Sequence, residues 1–209
     1  MDFSELVRKR QSDRRYEERA VPRELVMRCI EAARLAPSAC NSQPWHFVAV
    51  DDPQLKARLA RAAEGLGMNR FAAEAPVIVA VVLEKMNITA RIGSMLKRKD
   101  YSLLDVGIAV EHFCLQAAEL GLGTCILGWF DEPQAARLLG VPRGRRIPLL
   151  VTMGYPAAAT CARRLRRSAR GTPTGRRSDS PPGRVAQTAS RICIFPDNTL
   201  YLSPDRTYR

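Results

Sequence analysis

The sequence has 209 residues, 46% of them apolar, which is enough for one large domain or for one domain with an appendage. Its net charge of +12 is uneven, because residues 1–155 hold 22 Lys and Arg against 18 Asp and Glu, whereas residues 156–209 hold 11 Arg against 3 Asp. The apolar run at residues 75–83 is too short to cross a membrane. Residues 1–6 do not resemble a signal peptide and the six cysteines form no Cys-x-x-Cys pair, so we expect a cytoplasmic protein with reduced thiols.

A short helix is predicted over residues 2–10, and a basic segment follows it. In that segment Arg10 and Arg14 flank Ser12 at the transition from helix to loop. Two guanidinium groups and a hydroxyl at such a place can bind a phosphate through charge-assisted hydrogen bonds. The alternative is a solvated, basic helix end, which is what most charge runs are.

An amphipathic helix over residues 23–35 leads into a loop of small and amide residues at 36–47. Pro37 ends the helix, because proline lacks an N–H and disfavours helical dihedrals in the residue before it. Fixed main-chain N–H groups and side-chain amides, with Trp45 as an aromatic wall, suit a flat heterocycle with polar edges. A metal is not favoured, since the Cys and His of the loop have no partners at ligand spacing. The alternative is a surface turn that carries a buried tryptophan.

The rest of residues 1–156 alternates between predicted strands and helices, with a loop-rich stretch of ambiguous structure at 86–99. Helices are predicted after the capping residues Asp52 and Asp131, and strands at 47–50, 77–83, 124–130 and 147–153. The helix over residues 101–120 is apolar around nearly its whole circumference, which is typical of a core helix or an oligomer seam. His112 lies on it without a second ligand and is interpreted as structural. The pattern indicates a layered α/β or α+β domain.

Four motifs occur in order along residues 1–156. They are Arg-Gln-Ser-Asp-Arg at 10–14, Ala-Pro-Ser-Ala-Cys-Asn-Ser-Gln-Pro-Trp at 36–45, the helix from Asp105 that ends in Gly-Leu-Gly-Thr-Cys-Ile-Leu-Gly-Trp-Phe at 121–130, and Met-Gly-Tyr-Pro at 153–156. With these motifs the span resembles the nitroreductase family of FMN-dependent oxidoreductases. The resemblance implies an α+β sandwich with a central mixed sheet of four to five strands flanked by helices. It also implies an intertwined homodimer, with the long helix at the interface and flavin sites between the subunits.

The resemblance also implies cofactor-binding residues. The FMN phosphate and ribityl chain would be held by Arg10, Ser12 and Arg14, with Gln11 departing mildly from the family pattern at a position that can act through its backbone. The isoalloxazine would be lined, from the partner subunit, by Pro37, Ser38, Ala39, Asn41 and Gln43. Arg70 would lie near the pyrimidine edge of the flavin, and Ile126, Leu127 and Gly128 would pass against the ring.

The implied chemistry is the transfer of hydride from NADH or NADPH, through flavin N5, to an electron-poor acceptor such as a nitroaromatic compound or a quinone. The cofactor carries this chemistry, so no catalytic side chain and no metal ligand is predicted. Two other classes stay open. The scaffold also hosts non-redox proteins that bind or fragment flavin. Nucleic-acid binding through the basic tail is disfavoured, because that tail has no interleaved aromatics before Phe195.

Residues 157–209 depart from the family pattern, since they contain no Lys and no Glu and are dominated by Arg, Ala, Pro, Ser, Thr and Gly. A basic residue of this segment often reaches the FMN phosphate in the family, and Arg166 lies at about the right distance along the chain. Two alternatives are a disordered basic arm and an out-of-frame terminus. Residues 192–195 and 200–202 also have the composition of a hairpin. The sequence therefore predicts a flavin-binding domain at 1–156 and an atypical tail at 157–209.

Overall fold

The computed structural model describes residues 1–65, 67–85 and 100–157. Within these ranges five helices and four strands follow one another along the chain. In chain order they are α1 (Phe3–Lys9), α2 (Arg23–Arg34), β1 (Trp45–Val50), α3 (Pro53–Ala63), β2 (Val77–Leu83), α4 (Tyr101–Glu119), β3 (Gly123–Leu127), α5 (Glu132–Leu138) and β4 (Arg146–Gly154), with 3₁₀ turns at Ala39–Asn41 and Arg70–Ala73.

Aspartate side chains fix the starts of four helices by accepting hydrogen bonds from main-chain N–H groups that have no partner within the helix. Asp2 accepts from the Glu5 N–H at 2.9 Å, and the Glu5 carboxylate accepts from the Asp2 N–H in return, which completes a capping box. The predicted caps Asp52 and Asp131 are confirmed, each accepting at 2.8 Å from the residue three positions on. Asp100 caps α4 in the same way.

The four strands form one sheet in the order β1-β2-β4-β3, and every neighbouring pair is antiparallel. The strands are buried along nearly their whole length. That explains why their sequences are mostly apolar and have no polar face, with His46, Thr124 and Thr152 buried among the apolar residues. A parallel bridge between Ser12 and Thr124 adds the segment after α1 to the free edge of β3. The predicted sheet is mixed, whereas the four strands of the described residues are all antiparallel and this isolated bridge lies outside them.

The core is formed by the sheet with helices α2 and α4, and Leu59 and Ala63 of α3 and Ala135 of α5 belong to the same buried cluster. One face of α2 is buried, as its 3.6-residue apolar period predicts, and the Phe47 and Phe113 rings lie 5.0 Å apart between β1 and α4. His112 Nδ1 lies 3.3 Å from the Ala32 carbonyl oxygen and joins α4 to α2, in keeping with its interpretation as a structural histidine. Although α4 is apolar almost all round, it buries one side and exposes Leu104 and Ile108.

The predicted α+β class and the four-stranded sheet flanked by helices are confirmed. Two strand boundaries differ from the predictions by more than one residue. β1 begins at Trp45, two residues before the predicted start. β3 ends at Leu127, because the backbone beyond it bonds to the end of α3 instead of the sheet, with the Trp129 carbonyl accepting from the Asn69 amide and the Asp131 N–H donating to Ala62.

Some predictions lie outside the described residues. They are the loop-rich stretch at 86–99, the proposed phosphate ligand Arg166 and the character of the tail from residue 158 onward. In the ranges that the structure does describe, no helix is both long enough and apolar enough to span a membrane.

Candidate functional site

The segment that carries the arginine motif lies beside β3. Ser12 bridges to Thr124, and the Asp13 N–H donates to the Thr124 carbonyl at 2.9 Å. Tyr16 then fixes the far end of the segment, because its buried hydroxyl donates to the Asp13 carbonyl and lies 2.7 Å from the Thr152 hydroxyl on β4. Hydrogen bonds of the main chain and of the Tyr16 hydroxyl therefore attach the motif to the sheet and fix the backbone that carries its side chains.

Because the segment is extended, its side chains alternate between two sides. Gln11 and Asp13 lie on one side, where the Gln11 amide donates to the Asp13 carboxylate at 2.9 Å. Asp13 is buried, and this burial raises the pKa of its carboxyl against the opposing effects of the Gln11 and Thr124 hydrogen bonds. Ser12 and Arg14 lie on the other side. The Gln11 side chain is thus directed at Asp13.

The two arginines of the motif are each held by a neighbouring element. Arg10, which caps the end of α1, forms an ion pair with Glu111 of α4 at 3.1 Å. The Arg14 guanidinium lies over the Phe71 ring, 5.8 Å from its centroid. Cation–π contact of this kind orients a guanidinium without using all of its N–H donors. Both arginines therefore have defined positions and retain donors for an anion.

The Arg14 contact brings the 3₁₀ turn Arg70–Ala73 next to the arginine motif. Arg70 itself is 77% exposed and forms an ion pair with Glu64 at 3.1 Å. At the nearby end of β3, Ile126 is half-buried, the Leu127 side chain is buried in the core, and Gly128 is exposed. Leu127 can therefore contribute only its main chain to a ligand site, whereas Gly128 presents an accessible backbone.

An exposed indole follows this strand end. Trp129 is 47% exposed, and its carbonyl accepts from the Asn69 side chain at 2.8 Å. Its ring lies against Gly65 so closely that a Cβ built on that glycine would be 2.5 Å from the indole nitrogen. By contrast, Trp45 is fully buried in β1, so the prediction that it forms an aromatic wall for a ligand is wrong. Both faces of this strand are buried, so the Trp45 ring is buried whichever face it lies on.

The amide-rich loop begins with exposed Pro37 and turns sharply at residues 38–43. Ser38 and Ala39 are half-buried, and Asn41 is exposed. Inside the loop the Ser38 hydroxyl accepts from the Gln43 N–H at 2.9 Å, and the Gln43 amide donates to the Asn41 side chain at 2.8 Å. The predicted amide groups are thus ordered and partly accessible at one surface of the loop.

Helix α4 anchors both groups of residues but on different sides. The Ala39 N–H donates to Asp105 Oδ2 at 3.0 Å, and Arg10 pairs with Glu111. Six residues along an α-helix correspond to about 9 Å of rise and to directions about 120° apart. Within one protomer, then, the structure brings together the arginine motif, Arg70 and the end of β3, and places the loop at 37–43 around another face of the helix.

A metal site and a small cavity are two alternatives to this arrangement. The described ranges contain no group of three His, Cys, Asp or Glu side chains placed to bind a metal ion. A cavity of about 200 Å³ lies between the ends of α1 and α4 and the start of β3, on the Gln11 and Asp13 side. It is smaller than the roughly 300–1,000 Å³ of typical organic-ligand sites. Arg8, Lys9, Arg10 and Gln11 line it, whereas Ser12 and Arg14 do not.

Sequence reasoning assigned no role to Asp105, Glu111, Phe71 or Trp129, although each contacts a predicted site residue or follows one in the chain. Asp105 and Ala39 are 66 positions apart, and Arg10 and Glu111 are on different helices. Pairing between such distant side chains leaves no periodic signal. The adjacency of Phe71 to Arg70 and of Trp129 to Gly128 is the signal that could have identified the other two.

Comparisons with known proteins identify relatives of this arrangement. Residues 7–68 and 62–155 match the model of the nitroreductase family. The chain is 30% identical over 183 residues to an NADH dehydrogenase from Thermus thermophilus, in an alignment that covers 75% of this chain and 88% of that protein. It is 28% identical over 174 residues to an iodotyrosine deiodinase from Thermotoga neapolitana, covering 73% of this chain and 87% of that protein.

A solved structure gives the same picture. An FMN-dependent nitroreductase from Clostridium difficile superposes with a TM-score of 0.60 and 27% sequence identity, and the match covers 72% of this chain and 86% of that one.

Proposed function

Because the chain belongs to the nitroreductase family of oxidoreductases, we propose that it is a cytoplasmic, homodimeric enzyme that binds FMN and uses NADH or NADPH to reduce an electron-poor acceptor such as a nitroaromatic compound or a quinone. The observation that carries the proposal is the position of Arg10, Ser12 and Arg14 on a segment fixed to the edge of β3.

The donors at this edge suit FMN. Two guanidinium groups and a hydroxyl, held at the start of β3, match a phosphate dianion. Residues 124 to 127 of a strand span about 10 Å, so the accessible backbone at Gly128 lies within reach of a ring joined to that phosphate by a ribityl chain. When bound, FMN supplies a flavin ring that accepts hydride at N5 and passes it on.

The chain's own residues would bind and orient this group. Arg10, Ser12 and Arg14 would hold the phosphate, with Gln11 acting through its backbone. Arg70, whose guanidinium is largely exposed, would place positive charge beside the pyrimidine edge of the ring. Ile126, Leu127 and Gly128 would pass against the ring, where a main-chain N–H would reach its N5 or O4. In the tail, Arg166 is proposed as an additional phosphate ligand.

We assign the loop residues Pro37, Ser38, Ala39, Asn41 and Gln43 to the partner subunit's flavin. Two observations favour this division. The loop and Arg10 contact α4 in directions about 120° apart. In addition, α4 presents exposed Leu104 and Ile108, and the adjacent α1 presents exposed Phe3 and Val7. Four large apolar side chains on two packed helices form a face suited to a second copy of the chain.

The similarity to iodotyrosine deiodinase favours a second candidate, the reductive removal of iodide from an iodinated phenol. In that reaction two electrons and one proton replace a carbon–iodine bond by a carbon–hydrogen bond and release iodide. The binding residues would be the same, and only the acceptor would differ.

Anaerobic mixing of the FMN-loaded protein with NADH or NADPH tests the proposal. We expect at least one nicotinamide to bleach the visible flavin band, and a quinone or nitroaromatic compound to restore it. A loaded protein that neither nicotinamide reduces would contradict the proposed hydride donor. If iodotyrosine restores the band with release of iodide, and quinones and nitroaromatic compounds do not, the second candidate replaces the first.

A further inference from the structure

The loop at residues 38–43 has an unusual backbone. Three of its residues are not glycine yet have positive φ angles, namely Cys40 at 51°, Asn41 at 50° and Gln43 at 43°. This left-handed region is unfavourable for side chains other than glycine and, to a smaller extent, asparagine. Such a conformation persists only where surrounding contacts determine it, and it occurs often at ligand-binding sites.

Hydrogen bonds inside the loop determine its shape. The Asn41 N–H donates to the Ser38 carbonyl and the Ser42 N–H to the Ala39 carbonyl, both at 3.0 Å. The Ser38 hydroxyl and the Asn41 side chain add the two bonds to Gln43. Because donors and acceptors all lie within the loop, these hydrogen bonds do not determine the position of the loop relative to the rest of the domain.

A carboxylate on α4 fixes the position of the loop relative to the domain. Asp105 Oδ2 accepts the hydrogen bond from the Ala39 N–H at 3.0 Å, at the start of the 3₁₀ turn. Asp105 lies on the buried side of α4 and is only 5% exposed, so its side chain has little freedom to move. Burial raises the pKa of this carboxyl, and the Ala39 N–H opposes that effect by stabilising the charged form.

We propose that Asp105 is a positioning residue, whose carboxylate holds the 38–43 loop on α4 in the orientation that its amide groups need to meet a flavin ring. The inference rests on the proposed function, and it assigns to Asp105 no contact with the cofactor. Since Glu111 of the same helix holds Arg10, α4 would align both the loop and the phosphate-binding arginine.

Three substitutions separate positioning from stability. Asp105→Ala removes the acceptor, while Asp105→Asn keeps an oxygen that can accept from the Ala39 N–H. Val106→Ala truncates a neighbouring buried side chain of α4, 1% exposed, and serves as the control for lost packing.

Amide hydrogen exchange of the FMN-free proteins is the first measurement. We expect Asp105→Ala to speed exchange in residues 39–43 by about tenfold or more, the usual effect of losing a hydrogen bond to a charged group. Asp105→Asn and Val106→Ala should leave exchange in this loop within about threefold of the wild type. Unchanged exchange in Asp105→Ala would overturn the proposal whether or not the protein binds FMN.

FMN affinity is the second measurement, made where each variant is fully folded. Asp105→Ala should weaken binding about tenfold or more, and the two other variants by less than about threefold. Equal losses in Asp105→Ala and Val106→Ala would mean that Asp105 acts through stability alone, which overturns the proposal. A wild type that binds no FMN would refute the proposed function, and with it the assignment to a flavin.

A substitution at the donor covers the case in which Asp105→Ala does not fold. Ala39→Pro removes the same N–H from the loop side, and Ser38 before it already has the extended backbone that precedes proline. This variant should weaken FMN binding as Asp105→Ala would, about tenfold or more. Wild-type affinity in Ala39→Pro would also overturn the proposal.

Discussion

Arg14 and Arg15 are consecutive in the sequence but differ in their surroundings. Both are exposed, but the Arg14 guanidinium lies over the Phe71 ring, whereas the main-chain carbonyl of Arg15 accepts from the Ala157 N–H. If Arg14 holds the FMN phosphate, Arg14→Ala should weaken FMN binding by about 1.5–3 kcal/mol, the usual value for a hydrogen bond to a charged group. Arg15→Ala, which removes the same charge, should have a much smaller effect.

Riboflavin tests the assignment to the phosphate, because it has the same ring and no phosphate. It should bind the wild type poorly and respond little to Arg14→Ala or to Arg10→Ala. Equal losses for riboflavin and FMN in isothermal titration would show that these arginines are structural.

The burial of His46 predicts how the stability of the protein depends on pH. It is 2% exposed, and burial, with a smaller effect of the Arg145 charge, lowers its pKa from 6.5 to about 2. Below pH 6.5 the unfolded chain therefore takes up a proton that the folded protein does not. Each pH unit below this point should cost about 1.4 kcal/mol of stability. Urea unfolding at pH 7 and about pH 5 should thus show a loss of about 2 kcal/mol.

A variant without the imidazole provides the control for this pH effect. In His46→Gln the loss between the two pH values should largely disappear, whatever the variant's stability at pH 7. Asp13 and Asp105 have raised pKa values and oppose the histidine, since they favour the folded protein as they take up protons at lower pH. The same pH dependence in wild type and variant would contradict the role of His46.

At the scale of elements, two glycines allow close approach of different neighbours. A Cβ on Gly123, the first residue of β3, would lie 2.7 Å from the Asp13 carboxylate, which is buried and hydrogen-bonded. A Cβ on Gly65 would meet the Trp129 ring, which is 47% exposed and can swing into solvent. Gly123→Ala should therefore cost about 1–3 kcal/mol and Gly65→Ala about 1 kcal/mol or less.

Chemical denaturation measures both costs. Gly123→Ala should also weaken FMN binding, since it displaces the segment that carries the arginine motif. Gly65→Ala should make Trp129 fluorescence more accessible to iodide. If the two glycine variants are equally stable, the contact between β3 and the 10–14 segment is looser than the structure implies.

Local patterns predicted the elements well because they depend on neighbours in the sequence. Asp52 and Asp131 precede helices that they cap, and the apolar β-branched run of Val77–Leu83 is a buried strand. The failure at Trp45 has a physical reason as well. Its position next to a ligand-like loop suggested an exposed ring, but β1 is buried at all six positions and begins at Trp45, and the predicted apolar strand at 47–50 did not extend back to this residue.

The sequence predicted the parts of the candidate site that are contiguous motifs, and did not predict the parts that depend on contacts between distant residues. The Arg10 to Arg14 segment and the 36–45 loop were both read from the sequence alone. Their attachment to α4 through Glu111 and Asp105 was not, because a tertiary contact between distant residues has no local signature. The mixture of exposed and buried apolar residues on α4 likewise became clear only from its packing.

At the scale of the whole molecule, the exposed apolar residues of α1 and α4 predict a dimer. Ile108, 41% exposed in the single chain, would be buried twice in a two-fold symmetric interface. Ile108→Glu should weaken the dimer by at least about 1–2.5 kcal/mol, twice the value of burying the exposed 41% of one aliphatic side chain. Loss of FMN should accompany dissociation, because each site would lose the partner's loop.

Ala57→Glu is the control for Ile108→Glu. It adds the same carboxylate at an exposed position of another helix, α3, and should leave a dimer that binds FMN. Sedimentation velocity of both variants measures whether each is a monomer or a dimer. A wild type that is monomeric while loaded with FMN would contradict the shared site.

The visible absorbance spectrum of the purified protein tests the central claim most directly. We expect a flavin band and, after denaturation and chromatography, one FMN released per protomer. If the cofactor is lost during purification, titration of the FMN-free protein should restore the band to the same ratio. A colourless protein that takes up no FMN in such a titration would contradict the account.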